Sequence, residues 1–290
     1  DASQLRTLSS IGESYELLGG LEQAFGVYQE ALEVARRLKD HAAEANLLWK
    51  MGRVGRKRNR WDEALQHLRQ GRSIYEDLED QQGIARCRIS QGIVDFERGD
   101  YPAATEAYEQ ALEVGEKVDN RRIIADATMN LGILATIRGD FDRAGMLYQS
   151  SLSLFEQLGS RGSIARIHHN LGMCFSSRGN WTEALDSFEK SLEISQDQGN
   201  LTQSASTYVQ KAAVYLELAD LTVAATYCAR AVDAFREIDY PLGLARAYKV
   251  LGRLFTMKED WATAHGLLDE SLRIYGEYGD LLGEAEARRE

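Results

Sequence analysis

Residues 121–160 read RRIIADATMNLGILATIRGDFDRAGMLYQSSLSLFEQLGS, and residues 161–200 read RGSIARIHHNLGMCFSSRGNWTEALDSFEKSLEISQDQGN. Laid one above the other they align Ala125 with Ala165, Asn130-Leu131-Gly132 with Asn170-Leu171-Gly172, Gly139 with Gly179, and Ala144 with Ala184. The register extends in both directions without an insertion. Ala24, Ala64, Ala104, Ala144, Ala184, Ala224 and Ala264 form one column, and Ala45, Ala85, Ala125, Ala165, Ala205, Ala245 and Ala285 another. A period of forty residues held over seven copies is the signature of a repeat architecture, whose core grows linearly with length.

The repeat predicts helices. A third column reads Gly12, Gly52, Gly92, Gly132, Gly172, Ala212 and Gly252, small residues inside helical patterns, where each Gly costs about 1 kcal/mol relative to Ala. Close approach of a second helix is the expected compensation. A fourth column, Leu21, Trp61, Tyr101, Phe141, Trp181, Leu221 and Trp261, is preceded at five places by Asp100, Asp140, Asn180, Asp220 and Asp260, which have the chemistry of N-caps. Asp40, Asp80, Asn120, Ser160, Asn200 and Asp280 announce the other helix of the unit in the same way, and Pro102 and Pro241 both fall at helix starts. Gly99, Gly139 and Gly179 stand where a left-handed C-cap is needed. Each unit therefore reads as helix A of about 17 residues, a short turn and helix B of about 17. The expected fold class is all-α, a right-handed superhelical solenoid of seven antiparallel helix-turn-helix repeats forming a single domain over 1–290. The repeats run about 1–40, 41–80, 81–120, 121–160, 161–200, 201–240 and 241–280, with 281–290 beginning an eighth helix A.

Composition agrees and narrows the function. Apolar residues make up 44% of the chain, and there are only 2 Pro, so a helical core is affordable in material terms. Cys87, Cys174 and Cys228 are an odd, scattered set without a Cys-x-x-Cys, which suggests neither a disulfide framework nor a zinc site and fits a reducing cytoplasm. No apolar run approaches the ~20 residues of a membrane span, and the start Asp-Ala-Ser-Gln has no leader character. The net charge of -11 makes nucleic acid an unsuitable partner for the surface as a whole.

The pattern Leu131-Gly132, Gly139-Asp140-Phe141, Ala144, Tyr148 and Leu152 resembles the tetratricopeptide repeats, in that family's order and over essentially the whole chain. The usual unit has about 34 residues. The longer unit here is similar to the subgroup in kinesin light chains, spindle-orientation adaptors and maltotriose-sensing bacterial transcription activators. Repeat 2 departs from the pattern with Gly55 in the aromatic position of Tyr15, Phe175, Tyr215 and Phe255, and with Gly71-Arg72 for Ala-Leu; repeat 3 has Asp95 in that aromatic position. Either Arg72 and Asp95 pair across the junction of repeats 2 and 3, or both reach solvent.

The resemblance implies that helix A lines an inner groove, with positions 6, 9, 10, 13, 16 and 17 of each repeat facing it. Those positions hold the basic residues Arg6, Lys50, Arg53, Arg56, Lys57, Arg86, Arg166, Arg246, Lys249 and Arg253 against Glu13, Glu16, Glu97, Asp126 and Glu217. A stripe such as Lys50, Arg53, Arg56 and Lys57 repels itself unless anions compensate it, so it reads either as a solvated face balanced by acidic helix-B side chains or as a site for an acidic peptide, phosphate or terminal carboxylate. The middle of the groove differs: Met129, Asn130 and Ile133, then His169, Asn170 and Met173, then Gln210. Amides among apolar groups suit an extended peptide, since Asn and Gln both donate and accept. Asn130 and Asn170 are expected either to meet the ligand or to bond locally, and Trp49 is either an aromatic anchor or core.

No phosphate loop, zinc helix or nucleophile turn occurs in the sequence. His168 and His169 are neighbours ~100° apart on a helix and cannot chelate together. Cys174 sits in the apolar stretch Met173-Cys174-Phe175 and reads as a small core residue. The expectation is a non-catalytic scaffold, without cofactor or metal, that binds a peptide or protein segment of acidic character. The alternative is an effector-sensing or partner-sensing segment of a bacterial signalling or transcription regulator. Self-association through Leu281, Leu282 and Ala285 is a third expectation.

Overall fold

Asp40, Asp80, Asp100, Asp140, Asn200, Asp220, Asp260 and Asp280 each accept at Oδ1 the backbone N–H three residues on, at N···O distances between 2.9 and 3.3 Å, and each starts a helix. Asn120 caps the same way, accepting from Arg122 and Ile123. Ser160 and Asn180 stand at the predicted helix starts but make no side-chain cap bond; the Ser160 hydroxyl turns instead to Ser163 Oγ at 3.1 Å. The helices so delimited are α1 (Ala2–Leu17), α2 (Leu21–Leu38), α3 (His41–Lys57), α4 (Trp61–Asp77), α5 (Gln81–Glu97), α6 (Tyr101–Lys117), α7 (Arg121–Ile137), α8 (Phe141–Gln157), α9 (Arg161–Ser177), α10 (Trp181–Asp197), α11 (Leu201–Glu217), α12 (Leu221–Glu237), α13 (Pro241–Met257), α14 (Trp261–Tyr278) and α15 (Leu281–Ala287). The structure, a computed structural model, describes all of residues 1–290 except the side chain of Leu281. Among the described residues there is no strand.

Every turn between helices is built alike. One residue in each takes the left-handed conformation: Gly19, Gly99, Gly139, Gly159, Gly179, Gly199 and Gly279, but also Lys39, Asn59, Glu79, Asp119, Ala219, Asp239 and Glu259. A side chain there costs about 1 kcal/mol. Half of the turns tolerate it because the helices on either side are anchored by packing.

Two compact units are present, Asp1–Leu134 and Ala135–Glu290. In the first, α1 packs on α2, α2 on α3, α3 on α4, α4 on α5 and α5 on α6; in the second, α8 to α15 follow the same sequential order. Helices A of successive repeats also touch within a unit, as α3 does α5, α9 does α11 and α11 does α13. The cores lie between these layers, around Phe25, Tyr28, Leu48 and Met51 in the first unit and Leu216, Val232, Phe235 and Leu254 in the second. Burying each such side chain contributes about 1.5–3 kcal/mol. The first alanine column is buried throughout, and Ala285 alone departs from the second, being exposed on α15.

The glycine column does what the sequence implied. A Cβ built on Gly12 would stand 2.4 Å from the Tyr28 ring, on Gly92 2.6 Å from Tyr108 and on Gly172 2.4 Å from Phe188. Within each of these hairpins a large side chain of helix B lies against bare backbone of helix A. The one repeat with a Cβ in this column, at Ala212, has the small Cys228 at the facing position, and both are buried in one cluster. Successive repeats meet through a second set of such pairs: Tyr75 against Gly83, Ile123 against Gly115, Phe235 against Gly243 and Tyr275 against Gly283, with would-be Cβ distances of 2.3, 2.8, 2.4 and 2.3 Å.

The anticipated Arg72–Asp95 pair does not form. Arg72 Nη1 donates to Gln91 Oε1 at 3.2 Å and its Nε lies 3.2 Å from Glu76 Oε1, so it engages α5 one turn before Asp95. Of the three apolar residues proposed for self-association, the Leu281 side chain lies outside the described residues, and Leu282 and Ala285 are exposed.

Candidate functional site

Helix α3 carries the basic stripe, and the structure surrounds it with carboxylates. Lys50, only 7% exposed, lies 2.6 Å from Glu13 Oε1, donates to Ser9 Oγ at 2.7 Å and stands 5.6 Å from the centre of the Tyr28 ring. Arg53 and Lys57 share Glu16 Oε1 at 3.1 and 2.8 Å, and Arg56 meets Glu97 at 2.5 Å. Burial alone would raise the Glu16 carboxyl, but the Lys57 hydrogen bond and the charges of Arg53 and Lys57 outweigh it and hold Glu16 below the usual carboxylate range. The compensating carboxylates come from helices A of the neighbouring repeats, not from helices B; only Arg58 turns to a helix B, bidentate to Glu22 at 2.8 and 2.5 Å.

Trp49 is half-buried between two guanidiniums. Arg53 stacks at 4.8 Å and Arg86 at 5.0 Å from its ring centre, while its indole Nε1 donates to Ser90 Oγ at 2.9 Å. Arg86 further donates to the Tyr75 hydroxyl at 3.3 Å and has no carboxylate partner among the described residues. On α7, Met129 is 3% and Asn130 8% exposed, and Asn130 Nδ2 donates to the Asp126 carbonyl at 2.9 Å, one turn back on its own helix. Ile133 is half-buried. Met129 and Asn130 therefore offer a ligand little, because both side chains are buried.

The second unit keeps more of its polar groups open. Asn170 on α9 and Gln210 on α11 are half-buried, and neither side-chain amide makes a hydrogen bond among the described residues. Met173 and Arg166 beside them are exposed, and Arg166 Nη2 donates to Ser163 Oγ at 3.2 Å. His169 Nδ1 lies 2.9 Å from Thr207 Oγ1, and Thr207 already donates its hydroxyl proton to the Gln203 carbonyl at 2.9 Å. That assigns the imidazole proton to Nδ1. Burial, reinforced by the charge of Arg246, pushes the His169 pKa down to about 4, so the ring is neutral at physiological pH. Arg246 is exposed and makes no ion pair among the described residues. Lys249 and Arg253 on α13 are paired, with Glu286 at 2.5 Å and Glu217 at 2.7 Å.

Sequence reasoning named the cations but not their partners, and missed Ser9, Ser90 and Thr207 altogether. The partner signal was available: the ion pairs join residues 36, 37 or 41 apart, one repeat away and on the same helix face. Among the described residues no three His, Cys, Asp or Glu side chains converge as a metal would require. No helix of the described residues is long and apolar enough to cross a membrane.

Comparison with known proteins bears on the fold. The apo form of RapI superposes with a TM-score of 0.73 at 15% identity, over 93% of this chain and 97% of that one. A Rap protein complexed with competence and sporulation factor gives 0.66 at 16% identity, over 99% and 95% of the two chains. The Rap conjugation gene regulator of plasmid pLS20, in complex with the Phr* peptide, gives 0.71 at 14% identity, over 95% and 74%. No curated protein sequence matches the chain. The family model described as tetratricopeptide repeat matches residues 3–77, 123–197 and 203–277. With most of its length covered by that model and its helices paired and stacked as such repeats are, the chain belongs to the tetratricopeptide repeat family.

Proposed function

We propose that the chain is a non-catalytic interaction scaffold whose second unit binds an extended peptide segment of a partner protein across the helix-A face of α9, α11 and α13. The observation that carries this is the pair Asn170 and Gln210: two half-buried amides one repeat on, on helices that touch, each with its donors and acceptor unspent. Neither amide is spent within the chain, and a ligand backbone supplies both a carbonyl and an N–H to meet it, each such hydrogen bond contributing about 0.5–1.5 kcal/mol. Exposed Met173 offers adaptable apolar contact beside them. Acidic character in the segment is read from Arg246, a cation without a carboxylate, and not from the α3 stripe, whose charges are met within the chain. The Rap proteins of similar fold in complex with competence and sporulation factor and with the Phr* peptide support a peptide as the kind of ligand.

The test is selection from a displayed peptide library, followed by affinity measurement by fluorescence anisotropy. Asn170→Ala with Gln210→Ala should weaken the selected peptides at least ~10-fold, and Arg246→Glu should weaken acidic ones more than neutral ones. No selected peptide, or undiminished binding by a double variant of unchanged melting temperature, defeats the proposal.

A second reading, a sensing segment of a regulator, has support in the fold shared with the conjugation gene regulator and with the tetratricopeptide sensor of a signal transduction ATPase from Pyrococcus horikoshii. Stabilisation by a small effector alone, in the absence of any peptide, would favour it.

A further inference from the structure

At one junction of the first unit polar residues replace apolar ones in several columns at once. The position held by Leu32, Leu112, Leu152, Leu192, Val232 and Leu272 in other repeats is Arg72, and that of Ile11, Met51, Leu131, Leu171 and Leu251 is Gln91. At the same junction Arg88 stands where Leu8 and Leu48 do, and Asp95 replaces the aromatic of Tyr15, Phe175, Tyr215 and Phe255. A single such change reads as a polar residue reaching solvent. Four at one junction, with small Ala103 and Ala107 opposite, leave a cavity of ≈ 310 Å³ between α4, α5 and α6. That lies at the lower end of the range for small-molecule sites.

The charges in this cavity are incompletely met. Arg88 bonds only to the amide oxygen of Gln110, whose Nε2 is held by Glu106 at 3.0 Å, and no carboxylate lies within ion-pair distance of it among the described residues. Burial and the charge of Arg72 push its pKa down and outweigh the more distant carboxylates of Glu76, Glu106 and Glu113, of which Glu106 also lines the cavity and is held by Gln110. At the other end the Asp95 carboxylate makes neither a hydrogen bond nor an ion pair among the described residues, and burial together with Asp100 pushes its pKa up against the lowering charges of Arg98 and Arg69. Seven residues of helix put the Cα atoms of Arg88 and Asp95 ~10 Å apart, with the neutral amide of Gln91 between them. Uncompensated, partly buried charges of opposite sign destabilise the fold unless something completes them.

We propose that this cavity binds a short zwitterion, a dipeptide or an ω-amino acid, its carboxylate on Arg88 and its ammonium on Asp95. An extended dipeptide spans up to ~7 Å, which together with the two side chains bridges the gap, whereas a single α-amino acid holds its charges too close together. The site lies on the face of α5 away from Arg86 and Ser90 and is separate from the peptide-binding face proposed above.

Isothermal titration of the 290-residue chain with glycylglycine and with 5-aminopentanoate tests it. Saturable binding is expected for both, weakened at least ~10-fold for N-acetylglycylglycine and for glycylglycine amide, since each lacks one charge-assisted contact. Arg88→Met should weaken binding similarly. Asp95→Phe restores the aromatic of the other repeats, so it should fill the cavity, abolish binding and leave the melting temperature equal or higher; Asp95→Asn is the minimal control if Phe does not fit. No binding of either probe, equal binding of the acetylated dipeptide or of acetate, or binding that survives Asp95→Phe would each overturn the proposal.

Discussion

Gly172→Ala should destabilise the chain although it improves helix propensity. The new methyl is worth about 1 kcal/mol in a helix interior. Against this, it would stand 2.4 Å from Phe188 Cε1 and 2.5 Å from Cδ1, where carbon atoms prefer about 3.5–4.0 Å. Phe188 is 0% exposed and has nowhere to retreat. Overpacking of a tight core costs typically about 1–3 kcal/mol, and a collision with a closed-in aromatic belongs at the upper end, so the net loss should be about 1–2 kcal/mol. Phe188→Cys alone should lose about 3 kcal/mol through the cavity it leaves. The double variant copies the Ala212–Cys228 arrangement found in the next repeat, and the methyl then partly fills the space. Its loss should therefore fall short of the sum of the single losses by about 1–2 kcal/mol, a coupling expected of residues in contact. Urea unfolding of the four proteins, followed by circular dichroism, measures the cycle. Stabilisation by Gly172→Ala, or losses that add within about 0.5 kcal/mol, would show that the column is not a packing contact.

Three further outcomes are expected. Glu13→Gln should destabilise by about 1–2 kcal/mol in denaturant titration because it strands buried Lys50, with Glu13's own half-exposure screening the loss below that of a fully enclosed pair, whereas Lys50→Met should be nearly neutral. Burial raises the thiols of Cys87 and Cys228 to about 12 and raises that of Cys174, so a thiol-reactive dye should label the native chain negligibly and react with all three cysteines after denaturation. His169 has its folded pKa lowered to about 4 from 6.5, so its contribution is complete above pH 6.5 and lost as pH falls towards 4; His169→Gln should remove roughly 2 kcal/mol of that acid sensitivity in pH-dependent unfolding, after allowance for solvent screening of the half-buried ring.

Much of the fold was legible because a repeat writes each structural instruction several times. The alanine columns, the Asp and Asn caps and the glycine positions each have seven chances to be recognised, and the helices end where those residues put them. Ser160 and Asn180 show the limit: a residue type permits a cap, but the hydroxyl of Ser163 competes for Ser160. The candidate site was less legible, for a reason visible at α3. Lys50, Arg53 and Lys57 read as an excess of positive charge because a linear list separates them from Glu13 and Glu16, which the fold brings within 2.6 to 3.1 Å. Depth was equally hidden. Asn130 and Asn170 occupy the same column, yet Asn130 is buried and bonded to its own helix while Asn170 is half-buried with its amide unbonded.

The pairs Tyr75–Gly83, Gly115–Ile123, Phe235–Gly243 and Tyr275–Gly283 also give four of the junctions an identity. Near-copies stacked in a row face a problem of order, since any repeat could in principle follow any other. Here bulk and absence of bulk differ in polarity: Tyr75, Phe235 and Tyr275 each meet a bare backbone in the successor, whereas Gly115 offers one to Ile123. Excising residues 81–120 would set Tyr75 against Ile123, two protrusions; excising 41–80 would set Ala35 against Gly83, two hollows. The seven units share a period but are not all interchangeable parts, because the reversed joint at Gly115–Ile123 rejects the neighbours that the aromatic-to-glycine joints accept.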